Sequence, residues 1–217
     1  MGVDRYGGRV IRIDHVVYAV ADLDEAAVRF REAFGLDSVA GGRHERWGTA
    51  NRIVPLGDQY LELVTAVDRD AAEGGGFGRA VMHRADAGGG WITLAVATDD
   101  LDAVASRLGL EIDSGSRTRP DGEVVRWRMA GLDDPWREPW MPFFLAWDVP
   151  VGLHPGRART GHVVPADGIM WVEVDGDAER LREWLGSEEL PIRVLDGAEP
   201  GIRRVALATS DGELVIE

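Results

Sequence analysis

His15 and Glu62 are the two side chains of this sequence best suited by type and setting to do chemistry. His15 sits in a β-branched run, Asp-His-Val-Val-Tyr-Ala-Val, and Glu62 interrupts another apolar run, Gln-Tyr-Leu-Glu-Leu-Val. An imidazole nitrogen with a carboxylate oxygen suits a divalent ion such as Zn, Mn, Ni or Fe. The same pair suits a general base with an orienting partner. Two ligands do not complete a metal site. The others would come from a second unit, from the loop holding His154 and His162, or from another subunit. Without a metal, a buried Glu62 needs a partner, and Arg12 or Arg52 could supply it. His154 and His162 lie eight residues apart in a Gly/Pro/Arg loop, off the spacing of helix or hairpin ligands, and are expected at most near the mouth of a site.

Several other chemistries are excluded. The chain has no cysteine, so it offers no thiolate ligand, nucleophile or disulfide. All 24 of its basic residues are arginine, which removes a Schiff-base lysine and a P-loop lysine. Gly74-Gly-Gly-Phe-Gly does not lead from a strand into a crossover helix, so it is not a dinucleotide loop. No Gly-x-Ser-x-Gly elbow occurs. A formal charge of −14 disfavours nucleic acid and acidic membrane surfaces as partners. No run of 18 apolar residues is present, and the first residues carry no apolar signal segment. A cytoplasmic protein is the resulting expectation.

The elements that must position His15 and Glu62 recur three times along 217 residues. Each copy is a strand, an acidic cap, an amphipathic helix and a glycine stop. In the first, residues 12–20 read as a strand and Asp22 begins an Asp-x-x-Glu cap. Ala26, Phe30, Ala33 and Phe34 share one helical face, and Gly35 supplies the stop. Strands are expected at 37–40 or 37–47, at 50–56 and at 59–67, with a Gly57-Asp58 turn between the last two. The second copy begins at Trp91, is capped at Asp99 or Asp100, turns at Pro120-Asp121-Gly122, passes a Pro/Trp-rich insert around Trp136, and ends in an apolar strand at 141–147. The third has strands near 192–195, 202–208 and 213–217. The fold class is therefore α+β, built of repeated βαβββ modules in a single domain, 1–217. The modules are bounded at 11–67, 91–148 and 168–217, with a flexible connector at 68–90 containing a short helix at 77–84, and a loop at 149–167.

Comparing copies sharpens the site. Aligned on their turn glycines, Glu62 matches Glu217, and Ala146 takes that place in the second copy. Aligned on their caps, His15 matches Thr93. Histidine and glutamate thus occur together only in the first unit, and Glu217 reads as a frayed terminal residue. If strand alternation holds, Thr49 and Asn51 face the same hollow. Trp47, Trp91, Phe144 and Trp147 could line its apolar part.

These features resemble the vicinal oxygen chelate superfamily, which includes glyoxalases, dioxygenases and bleomycin-resistance proteins. The resemblance rests on the Asp-His-Val-Val-Tyr-Ala-Val start, Gly48-Thr-Ala-Asn51, Tyr60-Leu-Glu-Leu63 and Pro142-Phe-Phe-Leu-Ala-Trp147. It covers most of residues 11–148 and is closest to the glyoxalase-like domains. It implies that the first two modules pair into an open, U-shaped cup. It also implies a divalent metal at His15 and Glu62 acting as a Lewis acid on a small oxygenated substrate. Thr93 and Ala146, where the second module's ligands belong, depart from that pattern. The expectation is a lyase, isomerase or dioxygenase with an incomplete ligand set. The alternatives are a metal-free binding or drug-sequestration protein, or modules kept for structure alone. The third module is expected to pack its sheet against that of a second subunit, giving a homodimer.

Overall fold

The computed structural model describes residues 11–119, 122–132, 138–186 and 188–217. The Pro120-Asp121 part of the expected turn and Trp136 of the insert lie outside the described residues. The fold is mixed α+β, with an eight-stranded closed barrel and a separate four-stranded sheet.

Strand β1 (Ile11–Ala19) leads into helix α1 (Leu23–Phe34), then β2 (Val39–His44), β3 (Thr49–Pro55) and β4 (Tyr60–Ala66). The α1 cap forms as the sequence suggests. Asp22 accepts from the backbone N–H groups of Asp24 and Glu25, and Gly35 closes the helix at φ 70°. Two short helices follow, α2 (Arg69–Glu73) and α3 (Gly76–Asp86). The second half is β5 (Gly90–Thr98), α4 (Leu101–Leu108), β6 (Ile112–Thr118), β7 (Val124–Ala130) and β8 (Phe143–Trp147). Both halves order their strands alike, first-fourth-third-second, with the first and last strands parallel.

The expected open U is corrected by the pairing at its two seams. β1 and β5 run antiparallel over nearly their whole length. At the opposite seam a single Arg43–Thr118 bridge joins β2 to β6 and closes the ring. The connector is corrected as well. Phe77 and Val81 of α3 are buried against Val17, Val64 and Ile92, so this segment forms a wall of the barrel rather than a loose linker.

The last segment contains β9 (Ala166–Asp175), α5 (Ala178–Leu185), β10 (Ile192–Leu195), β11 (Gly201–Thr209) and β12 (Gly212–Ile216). Its chain order is again βαβββ, but its pairing is not that of the first two units. β9 lies inside the sheet, between β10 and β11, and β12 is an edge strand. Glu217 follows that edge strand and is exposed, so it has no counterpart role to Glu62. One face of this sheet joins the core formed by the outer side of the barrel with α1 and α4. Gln59 ties the two bodies together, donating to the Ile13 carbonyl at 2.9 Å and accepting from the Ile169 N–H at 2.7 Å. One face of the sheet is thus covered within its own chain. Its other face is polar. Arg193 lies 4.0 Å over the Trp171 ring, and Arg204 donates to Glu173 at 2.7 Å.

Among the described residues no helix is long and apolar enough to cross a membrane.

Candidate functional site

A β-bulge creates the site. Ile13 pairs with Val96 and His15 with Ala95, which leaves Asp14 as a surplus residue on β1. Ile13 and Val16 therefore both face the outer core, while His15 and Val17 point into the barrel. The bulge lets two neighbours, Asp14 and His15, meet by their side chains. His15 Nδ1 lies 2.7 Å from Asp14 Oδ1.

Asp14 is fully buried and is surrounded by donors. Trp147 Nε1 donates to Oδ2 at 2.9 Å, and His154 Nε2 meets the same oxygen at 3.1 Å. The Gly156 N–H donates to His154 Nδ1, so the hydrogen of His154 is on Nε2, directed at Asp14. Burial alone would raise the Asp14 pKa. The hydrogen bonds from His15 and His154 overcome that and hold it far below the usual carboxylate range. An ionised Asp14 fixes the His15 hydrogen on Nδ1 and leaves the Nε2 lone pair facing inward.

Across from that lone pair stands Glu62, with Oε2 3.6 Å from His15 Nε2. This is too long for a hydrogen bond, and with His15 neutral two acceptors face one another over a gap. The other oxygen is held: Asn51 Nδ2 donates to Glu62 Oε1 at 2.6 Å. Asn51 is oriented in turn, because its Oδ1 accepts from the Gly42 N–H at 2.9 Å and from Arg117 Nη1 at 3.3 Å. Gly41 makes this approach feasible; a Cβ there would collide with Asn51 Oδ1. Arg117 is 7% exposed, and its guanidinium belongs to the same network as Glu62. Burial lowers its pKa, with Tyr60 and Glu62 acting in the opposite direction.

His15 stacks on Tyr60 with ring centroids 4.4 Å apart and meets Phe143 edge-on at 5.8 Å. Burial, followed by Asp14 and Glu62, raises the Tyr60 pKa well above its ordinary value, so the phenol keeps its proton. Trp47, Trp127, Phe143, Leu145 and Trp147 make the remaining wall apolar. The hollow is small, about 40 Å³. That is room for a few waters. A larger ligand must part the side chains at either end. Trp47 and Phe77 separate the hollow from one outer cleft, and Trp147 separates it from another that includes His154.

Of the residues singled out from sequence, His15, Glu62, Asn51, Trp47 and Trp147 come together here. Thr49 is fully buried beside the hollow, 3.1 Å from His44 Nδ1. Thr93 is buried on β5 opposite Val17. Trp91 and Phe144 lie on the outer side of the barrel, where they pack against Tyr18 and Trp184. The inward aromatic is the neighbouring Phe143. Glu62 does not pair with Arg12 or Arg52; Arg52 is held by Ser38 and Asp24. His162 braces the loop away from the hollow, accepting from the Asp37 N–H at 2.9 Å and donating to the Pro55 carbonyl at 2.8 Å.

The comparison of copies also shifts. Val17 pairs with Glu62, and Ala95, which stands at the same distance before its helix cap as Val17, pairs with Phe143. Phe143, not Ala146, therefore holds the place of Glu62 in the second half. Sequence reasoning did not single out Asp14, His44 or Arg117. The alternation of Val125, Trp127 and Met129 was the one available signal for the far wall.

These donors fit a resident metal poorly. Two ligands stand on one wall, Thr93 and Phe143 take the corresponding places opposite, and a guanidinium lies beside the carboxylate. Among the described residues, no three His, Asp or Glu side chains form a group that could hold a metal ion.

His44 supplies a pH signature. Burial pushes its imidazole down to about 4 from an ordinary 6.5. The unfolded chain binds this proton over an interval in which the folded chain does not, so protons favour unfolding there. Stability is expected to fall by roughly 3 kcal/mol as pH drops from about 6.5 to about 4. Urea denaturation at a series of pH values checks this, and His44→Asn should flatten that part of the profile relative to the parent protein.

The family model for the glyoxalase-like domain matches residues 13–190, reaching from β1 beyond α5. No curated protein matches the chain. A solved structure described as a hypothetical protein from Staphylococcus aureus is similar, with a TM-score of 0.69 and 16% identity over 88% of each chain. Methylmalonyl-CoA epimerase from Mycobacterium tuberculosis covers 64% of this chain and 89% of its own at 22% identity, with a TM-score of 0.45. A variant of the Streptomyces coelicolor epimerase in complex with 2-nitronate-propionyl-CoA has a TM-score of 0.45 and 20% identity over 64% of this chain and 95% of its own. At 16% identity the similarity to the Staphylococcus aureus structure concerns the fold alone.

Proposed function

Because the chain belongs to the glyoxalase-like domain family, we propose that its hollow binds a small oxygenated molecule and moves a proton on it, as an isomerase or lyase of that general type. The observation that carries this reading is the gap of 3.6 Å between His15 Nε2 and Glu62 Oε2. Two facing acceptors invite a donor between them, and an acidic C–H or O–H of a substrate is such a donor. His15, with its tautomer set by Asp14, is the general base. Glu62, held by Asn51, is the second proton-handling group, on the same wall as His15. Arg117 and the neutral His44 are placed to stabilise negative charge that develops on a substrate oxygen. No step requires a metal.

The apolar far wall favours a second reading, in which the hollow only sequesters a small aromatic compound. Solvent exchange separates the two. The protein is incubated in D₂O with EDTA and a panel of small 2-oxo and 3-oxo acids and hydroxyketones, and deuterium uptake at carbon is followed by NMR. The first reading expects His15-dependent uptake by some members of the panel, unaffected by EDTA. Ligand binding without uptake supports sequestration. Uptake only after a divalent metal is added would overturn the metal-free reading.

A further inference from the structure

A second cavity lies at the seam between the barrel and the four-stranded sheet, away from the hollow. It measures about 280 Å³ and is bordered by α3, the start of β5 and the start of β11, with Pro139, Pro200 and Glu199 at its edges. Two of its residues present buried nitrogens that have no hydrogen-bond partner, Arg84 Nε and Trp91 Nε1. Trp91 is only 6% exposed. Native structures leave few such groups unmatched, and each one calls for an explanation. Both nitrogens are donors only, so what is missing is an acceptor.

Charge points the same way. Among the described residues, Arg84 has no carboxylate partner, in a chain with 38 acidic residues. Its neighbour in the cavity, Arg203, is already occupied by Asp175 and by the Glu199 carbonyl. The guanidinium of Arg84 lies across Gly90, where any Cβ would collide with it. Gly90 therefore makes the bed on which this cation rests, which gives a local reason for the end of the 88–90 glycine run.

We infer that this cavity is a binding site for a small carboxylate, which accepts from the Arg84 guanidinium and the Trp91 indole N–H. A single carboxylate carries two acceptor oxygens, one for each of these donors. Glu199 at the rim disfavours a dianion such as phosphate. Both nitrogens are covered by neighbouring atoms, so Arg84 must turn slightly to admit the ligand. The site shares α3 with the wall that carries Phe77, but it does not depend on the reading of the hollow.

The indole N–H resonance of Trp91, assigned through Trp91→Phe, provides the test. Titration of the intact protein with sodium acetate should move that resonance saturably in the millimolar range. Sodium chloride and sodium phosphate at equal ionic strength should leave it in place. Arg84→Gln should weaken the acetate response at least tenfold, and Glu199→Gln, which removes only a rim charge, should strengthen it a few-fold. The inference fails if acetate does not move Trp91, if chloride moves it equally, if phosphate binds more tightly than acetate, or if folded Arg84→Gln responds as the parent does.

Discussion

Replacing His15 with asparagine is expected to lower turnover by roughly 10²–10⁴-fold while leaving ligand binding within a few-fold of the parent. The amide nitrogen of asparagine can take the place of Nδ1 and still donate to Asp14. Nothing then occupies the position of Nε2, the atom 3.6 Å from Glu62. The substitution therefore removes the base and keeps the scaffold. Steady-state kinetics of deuterium uptake, together with calorimetric binding of the same ligand, makes the distinction. A fall in kcat with unchanged Kd fits proton transfer by His15. An equal loss of binding would show that His15 only shapes the wall.

Asp14→Ala is expected to destabilise the fold by about 3–5 kcal/mol, enough to threaten a protein of ordinary stability. Three donors converge on this carboxylate, from His15, Trp147 and His154. Its removal strands all of them in a dry interior, at about 1–3 kcal/mol for each group left unmatched. Chemical denaturation measures the loss. The pH dependence has a definite sign. The folded-state pKa of Asp14 is depressed, so its contribution is fully present above the ordinary carboxylate value of about 3.9 and is lost only as pH falls below it towards the folded-state value. That interval lies below the one assigned to His44, so the two can be separated in one profile.

The isosteric Asp14→Asn is the subtler variant. Its carbonyl oxygen can satisfy Trp147 and His154, but its NH₂ group then faces His15 Nδ1. His15 would have to accept there and carry its hydrogen on Nε2, which silences it as a base. Nitrogen-15 NMR of the ring should report the exchanged tautomer, with activity falling far more than stability. An unchanged tautomer with full activity would show that Asp14 does not position His15.

Much of this architecture is legible in the sequence, and the illegible parts share a cause. Strand–cap–helix units reveal themselves because Asp22, Gly35, Asp100 and Gly109 act on backbone within a few residues of themselves. Partner choice between distant strands is not encoded so locally. The third segment repeats the order βαβββ, yet β9 pairs with β10 and β11, which no pattern within β9 announces. Aligning last strands on their turn glycines made Ala146 the counterpart of Glu62. The ladder identifies Phe143 instead, because the loops before β4 and β8 differ in length. The surplus residue at Asp14 was hidden for the same reason. Asp-His-Val-Val reads as ordinary alternation until the register across β5 is known. His44 and Arg117 reach the hollow from strands joined by a single bridge, 75 residues apart in the chain at Arg43 and Thr118.

The two halves of the barrel share one strand order but line the hollow unequally. Asp14, His15, Asn51 and Glu62 come from the first half, whereas Phe143, Leu145 and Trp127 come from the second. Such a chamber has a handedness that a symmetric one lacks. A flat enol-like species held against the greasy side exposes only one of its two faces to the proton-carrying side. Reprotonation there is expected to favour one mirror-image product, a selectivity set by the difference between the two walls rather than by any individual contact.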